Sequence, residues 1–153
     1  MMHDYQAMID QLRESLNVDF IGLAMPSDLI LKTDIHWRYV SGETNERYKK
    51  IELKKGKGVA GIVIKTGRDW MELDVASSSL QSHMFDFPII RFEKLTNFLA
   101  VPLWKYNQVA AVLLIGNRNK RTFTLTMHEQ LKAQLDKGLG AFYRKDVINS
   151  VGI

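Results

Sequence analysis

The chain has 153 residues, about the length of one domain, and its 46% hydrophobic content is normal for a globular core. Cysteine is absent, which excludes disulfides, thiolate metal sites, a cysteine nucleophile and a thioether-linked chromophore. Twenty-one Lys and Arg against seventeen Asp and Glu give a formal charge of +4, too mild a bias to indicate a nucleic-acid-binding protein. We expect a single domain over residues 1–153.

The apolar segments are too short for a membrane span. Residues 98–104 and 109–115, the longest wholly apolar runs, have seven residues each, whereas a spanning helix needs about 20. The N-terminal residues also lack the basic and apolar stretches of a secretory signal. We therefore expect a cytoplasmic protein that does not enter the membrane.

The first third of the chain predicts one amphipathic helix and two strands. Asp4 is the predicted cap of the helix, whose apolar residues recur at spacings of three and four. These residues are Tyr5, Met8, Ile9, Leu12 and Leu16. Residues 20–25 are nearly all apolar, as in a strand covered on both faces. Alternation in residues 35–40 predicts a second strand with Ile35, Trp37 and Tyr39 on one face.

The middle of the chain predicts a short helix over residues 58–65 and a strand over residues 70–73. Residues 76–93 have mixed polarity without a sustained period. Short helical turns are expected there, around residues 79–85 and 87–90.

The last part of the chain predicts a hairpin and a closing helix. Residues 98–104 and 108–116 are apolar strands that we expect to pair antiparallel in the centre of a sheet. Thr126 and Glu129 match a capping box, which predicts the start of a C-terminal helix. The apolar residues expected on this helix are Leu131, Leu135, Leu139 and Phe142. The order of elements indicates an α+β fold.

Three blocks of the sequence, taken in order, carry a family resemblance. They are residues 56–75 (GKGVAGIVIKTGRDWMELDV), 98–117 (FLAVPLWKYNQVAAVLLIGN) and 123–135 (FTLTMHEQLKAQL). Together they resemble the GAF family of small-molecule sensor domains. The resemblance implies a central antiparallel sheet of five or six strands, with the N- and C-terminal helices on one face and a ligand pocket on the other.

A narrower resemblance is to the nitrate receptors of this family. It rests on IHWRYVSGETNERYKKI (residues 35–51), GKGVAGIVIKTG (56–67) and FDFPII (85–90). The resemblance implies a nitrate ligand and no cofactor. It also implies a partner, an oxygen-sensing histidine kinase of a two-component system for nitrate respiration, which the nitrate-free receptor restrains. The sequence leaves a homodimer open.

A small anion needs hydrogen-bond donors, and the first turn of a helix supplies them because its backbone N–H groups lack partners within the helix. The GKGVAG segment predicts such a start. Gly56 and Gly58 permit a tight turn, while Val59 and Ala60 would offer their N–H groups among small apolar side chains. On the motif alone, an ordinary loop-to-helix turn explains these glycines equally well.

Trp37 and the segment Phe87-Pro88-Ile89 are the other candidates. Trp37 has an indole N–H donor at the edge of an apolar surface, although a core tryptophan would fit the same pattern. Pro88 suits the first position of a helix, after which Ile89 can offer its N–H. The resemblance implies a nitrate site of six residues: Trp37, Val59, Ala60, Phe87, Pro88 and Ile89.

The principal alternative is a GAF sensor for another small ligand, such as a cyclic nucleotide. GAF domains that bind cyclic nucleotides share an Asn-Lys, Phe, Asp-Glu pattern. The equivalent positions here are Asn117-Arg118, Phe123 and Met127-His128, so the acidic pair is missing. This departure disfavours a nucleotide.

An enzyme is a further alternative, because some GAF proteins reduce free methionine sulfoxide with cysteines. This chain has no cysteine for that chemistry. Its four histidines lack the spacing of a metal motif, and its carboxylates show no acid–base pair. We expect neither catalytic residues nor a metal.

A basic cluster of six Lys or Arg and one acid, Glu52, spans residues 47–57. Such a cluster could meet an acidic protein surface, attract small anions or form a solvated loop. Tyr48 is its only aromatic residue, so we expect no nucleic-acid binding.

Overall fold

The computed structural model describes residues 3–28, 34–119, 121 and 124–144. The α-helices are α1 (Tyr5–Leu16), α2 (Gly58–Thr66), α3 (Pro88–Phe92) and α4 (Leu125–Leu135). The strands are β1 (Phe20–Met25), β2 (His36–Ser41), β3 (Trp70–Glu72), β4 (Asn97–Lys105) and β5 (Gln108–Asn117). Short 3₁₀ segments lie at Arg47–Lys50, Val75–Ser77 and Ser79–Asp86.

The strands form one five-stranded antiparallel sheet in the order β2-β1-β5-β4-β3. The β4–β5 hairpin lies inside the sheet, as the two apolar runs predict. Its turn residues Tyr106 and Asn107 have φ values of 53° and 60°, the positive values that suit a two-residue hairpin. The α+β fold class and the antiparallel sheet are confirmed.

Each face of the sheet has its own apolar core. On one face, α1 and α4 bury Ile9 and Leu131 against strand residues such as Leu113. On the other face, α2 and α3 bury Val63 and Ile90. The terminal helices therefore share one face, and the opposite face is left to the two short helices. The predicted cap is also confirmed, since the Asp4 carboxylate accepts a bond from the backbone N–H of Ala7.

Strand β2 contains a one-residue irregularity that the alternation of its residues did not predict. Leu23 pairs with Tyr39 and Ala24 with Trp37, so Arg38 is the extra residue of a β-bulge. A one-residue shift moves following side chains to the other face of a sheet. Trp37 and Ile35 consequently pack with α2 and α3, whereas Tyr39 packs with α1 and α4, so the single face predicted for these three residues is wrong.

The capping prediction at the C-terminal helix is also wrong. The cap is Thr124, whose hydroxyl accepts a bond from the Met127 N–H at 3.1 Å, and Thr126 lies in the first turn. The helix ends at Leu135, and Leu139 and Phe142 pair with each other beyond it. Both are still buried in the first core. Phe123, a position of the cyclic-nucleotide pattern, lies outside the described residues.

Candidate functional site

A cavity of about 90 Å³ lies on the sheet face that carries α2 and α3. Strand β2 forms one wall, and the first turns of the two helices form the others. Its lining residues are Trp37, Ile51, Glu52, Leu53, Lys57, Gly58, Val59, Asp86, Pro88 and Ile89. The volume exceeds the roughly 30 Å³ that one water occupies in the liquid and is far below the roughly 300–1,000 Å³ of a pocket for a drug-sized ligand.

The start of α2 brings uncapped backbone donors to this cavity. Lys57 is the N-cap and makes no side-chain capping bond. Gly58 has a φ of 70° and lines the cavity together with Val59. The N–H groups of a first helical turn have no acceptor within the helix, and the peptide dipoles leave partial positive charge there.

The start of α3 reaches the same cavity. Its N-cap, Phe87, makes no side-chain capping bond, and Pro88 occupies the first turn. Pro88 and Ile89 both line the cavity. Pro88 has no N–H of its own, so the first N–H that this helix offers is that of Ile89.

Trp37, which lines the cavity, carries a donor without a partner among the described residues. Its side chain is buried, and the donor is its indole N–H. Gly22 on β1 lies against the Cε3–Cζ3 side of the indole, the side away from the N–H. An unpaired buried donor costs roughly 1–3 kcal/mol, so an acceptor in the cavity would relieve this cost.

The charges at the cavity are at its exposed edge. Glu52, Lys57 and Asp86 line it, and all three are solvent-exposed. Water and salt screen such charges strongly. The buried residues of the lining, Trp37, Ile51, Val59 and Ile89, are aliphatic or aromatic.

Four of the six predicted site residues meet at this cavity: Trp37, Val59, Pro88 and Ile89. Ala60 is fully buried in the same core but is not part of the lining. Phe87 caps α3 and packs edge-to-face on Trp70, with ring centroids 5.7 Å apart, so it supports the wall from behind.

Sequence reasoning missed the role of Gly61. A Cβ at this position would overlap the carbonyl oxygen of Lys54. The Gly56 N–H also donates to the Gly61 carbonyl at 2.7 Å, which fastens the turn before α2 to the helix. The signal in the sequence was a third glycine in the GKGVAG segment.

A buried ion pair behind α3 was also missed. Glu93, the residue after α3, is fully buried, and its carboxylate lies 2.6 Å from the Arg118 guanidinium. Arg118 also donates to the Glu93 and Gly42 carbonyls, and the Thr44 N–H donates to the Glu93 carboxylate. Arg118, a position of the cyclic-nucleotide pattern, is therefore a structural residue in this fold.

The described residues contain neither a candidate metal centre nor a candidate membrane-spanning helix. Among the described residues, no three His, Asp or Glu side chains are grouped to hold a metal ion. No described helix has the length and apolar character of a membrane span.

The sheet order, the two helical layers and the cavity define a GAF domain, and the chain belongs to the GAF family. It is similar to NreA from Staphylococcus aureus, and the NreA structure compared is of a form mutated in the nitrate binding site. The two share 40% identity over 78% of this chain and 87% of that chain, with a TM-score of 0.73.

A hypothetical protein from S. aureus is 41% identical over 77% of this chain and 95% of that chain, with a TM-score of 0.71. The GAF domain of an Acinetobacter phosphoenolpyruvate-protein phosphotransferase is 17% identical over 85% of this chain and 73% of that chain, with a TM-score of 0.63, and shows the fold alone. No family model and no curated protein matches the sequence.

Proposed function

We propose that this protein is a cytoplasmic nitrate receptor, not an enzyme, and that nitrate occupancy controls a sensor histidine kinase that regulates nitrate respiration. One observation carries the proposal: two uncapped helix starts and Trp37, whose buried indole N–H has no partner among the described residues, line a cavity of about 90 Å³. The similarity to NreA, whose nitrate binding site has been mutated, supports the choice of anion.

The donors suit a planar monoanion. Nitrate would accept bonds from the first turn of α2, from the Ile89 N–H and from the Trp37 indole. The partial positive charge at the start of α2 would offset part of its negative charge without a buried Lys or Arg, while α3, a helix of five residues, would contribute the Ile89 N–H. Ala60 and Phe87 would hold the walls in place. A cyclic nucleotide is too large for this cavity.

The size of nitrate limits its affinity. Four non-hydrogen atoms at a ceiling of about 1.5 kcal/mol each give about 6 kcal/mol, or a Kd of roughly tens of micromolar at best. That range suits a sensor of a nutrient.

Signalling requires that nitrate bind one conformer better than another, because equal affinity transmits nothing. The residues that would move are those around α3, since this short helix forms a cavity wall and follows an irregular 3₁₀ segment with a kink at His83. In this proposal the nitrate-free receptor restrains the kinase, and nitrate releases it.

Isothermal titration calorimetry with sodium nitrate tests the binding step, with sodium chloride as the reference salt. We expect one site per chain at micromolar to millimolar nitrate. No nitrate-specific heat up to millimolar concentrations would defeat the proposal.

Two matched variants test the location of the site. Pro88→Glu puts a carboxylate at the start of α3, where a negative charge is tolerated by the helix, so the protein should fold and lose nitrate binding. Pro88→Gln has the same size without the charge and should bind nitrate more tightly than Pro88→Glu. Equal nitrate affinity in the two variants would place the anion elsewhere.

A further inference from the structure

The end of α3 and two neighbouring 3₁₀ segments form a surface of cations lying over aromatic rings, which we call the α3 face. It consists of Arg47, Phe85, Arg91 and Phe92. The guanidinium carbon of Arg91 lies 4.7 Å from the ring centres of both Phe85 and Phe92. Arg47 reaches the Phe92 ring at 5.5 Å. Phe85 is 83% exposed, which is unusual for a phenylalanine.

The positive charge of this face is not neutralised. Within the described part of the chain, neither Arg47 nor Arg91 forms an ion pair. Of the acids nearby, Glu46 pairs with Lys49 and Glu93 is buried with Arg118. Asp86, beside Phe85, is exposed and forms no ion pair among the described residues, so one free carboxylate stands against two guanidinium groups. The Tyr48 phenol is uncharged at neutral pH because its ordinary pKa is already far above neutrality, and partial burial raises that pKa further.

The composition of the α3 face is that of a protein interface. Aromatic and Arg side chains dominate the residues that carry binding energy at interfaces, whereas Lys is depleted there. Stacking on Phe85 and Phe92 also fixes the two guanidinium planes in advance, which reduces the entropy lost when a carboxylate binds.

We propose that the α3 face docks an acidic segment of the partner protein, with carboxylates on Arg47 and Arg91 and an apolar side chain against Phe85. This inference rests on the proposed function, because it names the surface through which the receptor would meet its kinase. A second copy of the chain is a poor occupant, since two such faces would repel each other.

The same short helix connects this face to the cavity. Pro88 and Ile89 line the cavity, and the exposed Arg91 and the partly buried Phe92 follow within one helical turn. A shift of α3 on nitrate binding would therefore move the stacked rings and guanidinium groups, so occupancy would change docking directly.

The test uses the Arg47→Glu/Arg91→Glu double variant, with Arg68→Glu/Lys137→Glu as a matched control. The control makes the same change of charge at two exposed sites outside the α3 face. The first readout is fluorescence anisotropy of a labelled Glu/Tyr copolymer in nitrate-free buffer. The second is restraint of autophosphorylation of the purified sensor kinase.

We expect Arg47→Glu/Arg91→Glu to weaken both copolymer binding and kinase restraint by about tenfold or more, while the control behaves as wild type. The nitrate affinity of Arg47→Glu/Arg91→Glu, measured by calorimetry, should stay within about twofold of wild type because the substituted residues do not line the cavity. Retained nitrate binding distinguishes loss of docking from loss of the receptor site.

Undiminished kinase restraint by Arg47→Glu/Arg91→Glu would overturn the inference, as would an equal loss in the control variant. It would also be overturned if the wild-type protein bound phosphatidylglycerol vesicles or duplex DNA more tightly than the copolymer and the double variant lost that binding. If wild type restrains the kinase through this face but binds no nitrate, the proposed function fails and the docking surface stands.

Discussion

The Trp37 side chain has two roles that a single substitution can separate. Its ring fills the core between β2 and the short helices, and its N–H is a buried donor without a partner among the described residues. The core position of the ring was predictable from the sequence. The missing partner was not, because it depends on which atoms of distant segments surround the indole.

Replacing Trp37 with Phe keeps an aromatic ring and removes the donor. We expect nitrate affinity to fall by about tenfold, the value of one hydrogen bond to a charged acceptor. The nitrate-free protein should stay folded, because removal of an unpaired donor offsets part of the lost ring area. Calorimetry measures the affinity and thermal unfolding measures the stability.

Trp104→Phe is the matched control, since Trp104 lies on β4 beside Gly67 and does not line the cavity. Its nitrate affinity should equal that of wild type. If Trp37→Phe also binds nitrate as wild type does, the indole is a core residue and not a ligand.

The elements of the sheet were predictable from periodicity, and their irregularities were not. The bulge at Arg38 is maintained by its own side chain, which donates to the carbonyls of Met25 and Asp34 at 3.0 and 2.9 Å. The Met25 carbonyl, on β1, becomes a neighbour of Arg38 only when the strands pair. Local alternation therefore assigned Tyr39 to the wrong face.

The position of α3 depends on contacts between elements far apart in sequence. Arg118 at the end of β5 holds Glu93, and the same carboxylate accepts from Thr44 in the loop after β2. Neither Glu93 nor Arg118 has a sequence motif that reveals the other. The pair fixes one end of α3 while the other end borders the cavity.

Arg118→Met should destabilise the protein by about 3–5 kcal/mol, because it leaves the Glu93 carboxylate buried without its cation. Nitrate affinity should also fall, since α3 loses its anchor. Urea unfolding measures the stability and calorimetry the affinity.

The control is Arg121→Met, which removes a more exposed ion pair with Asp19. Such a pair contributes roughly 0–1 kcal/mol. Equal losses of stability in the two variants would show that the buried pair has no special part in holding α3.

At the scale of the whole molecule, the two faces of the sheet differ in the elements that cover them. One face is closed by α1 and α4, the layer of terminal helices that the family resemblance implies. The other face carries short elements with weak periodicity, and the cavity lies there. The family resemblance predicted a ligand pocket on this face, which periodicity could not, because residues 35–51, 56–67 and 85–90 are separate in sequence and adjacent in the fold.

A nitrate titration of the ¹⁵N-labelled protein, followed by nuclear magnetic resonance, tests the central claim most directly. The account predicts that the indole N–H of Trp37 and the backbone amides of Val59 and Ile89 shift together and saturate with one Kd, while chloride at equal ionic strength leaves them in place. Nitrate shifts confined to other residues, or none at millimolar nitrate, would contradict it.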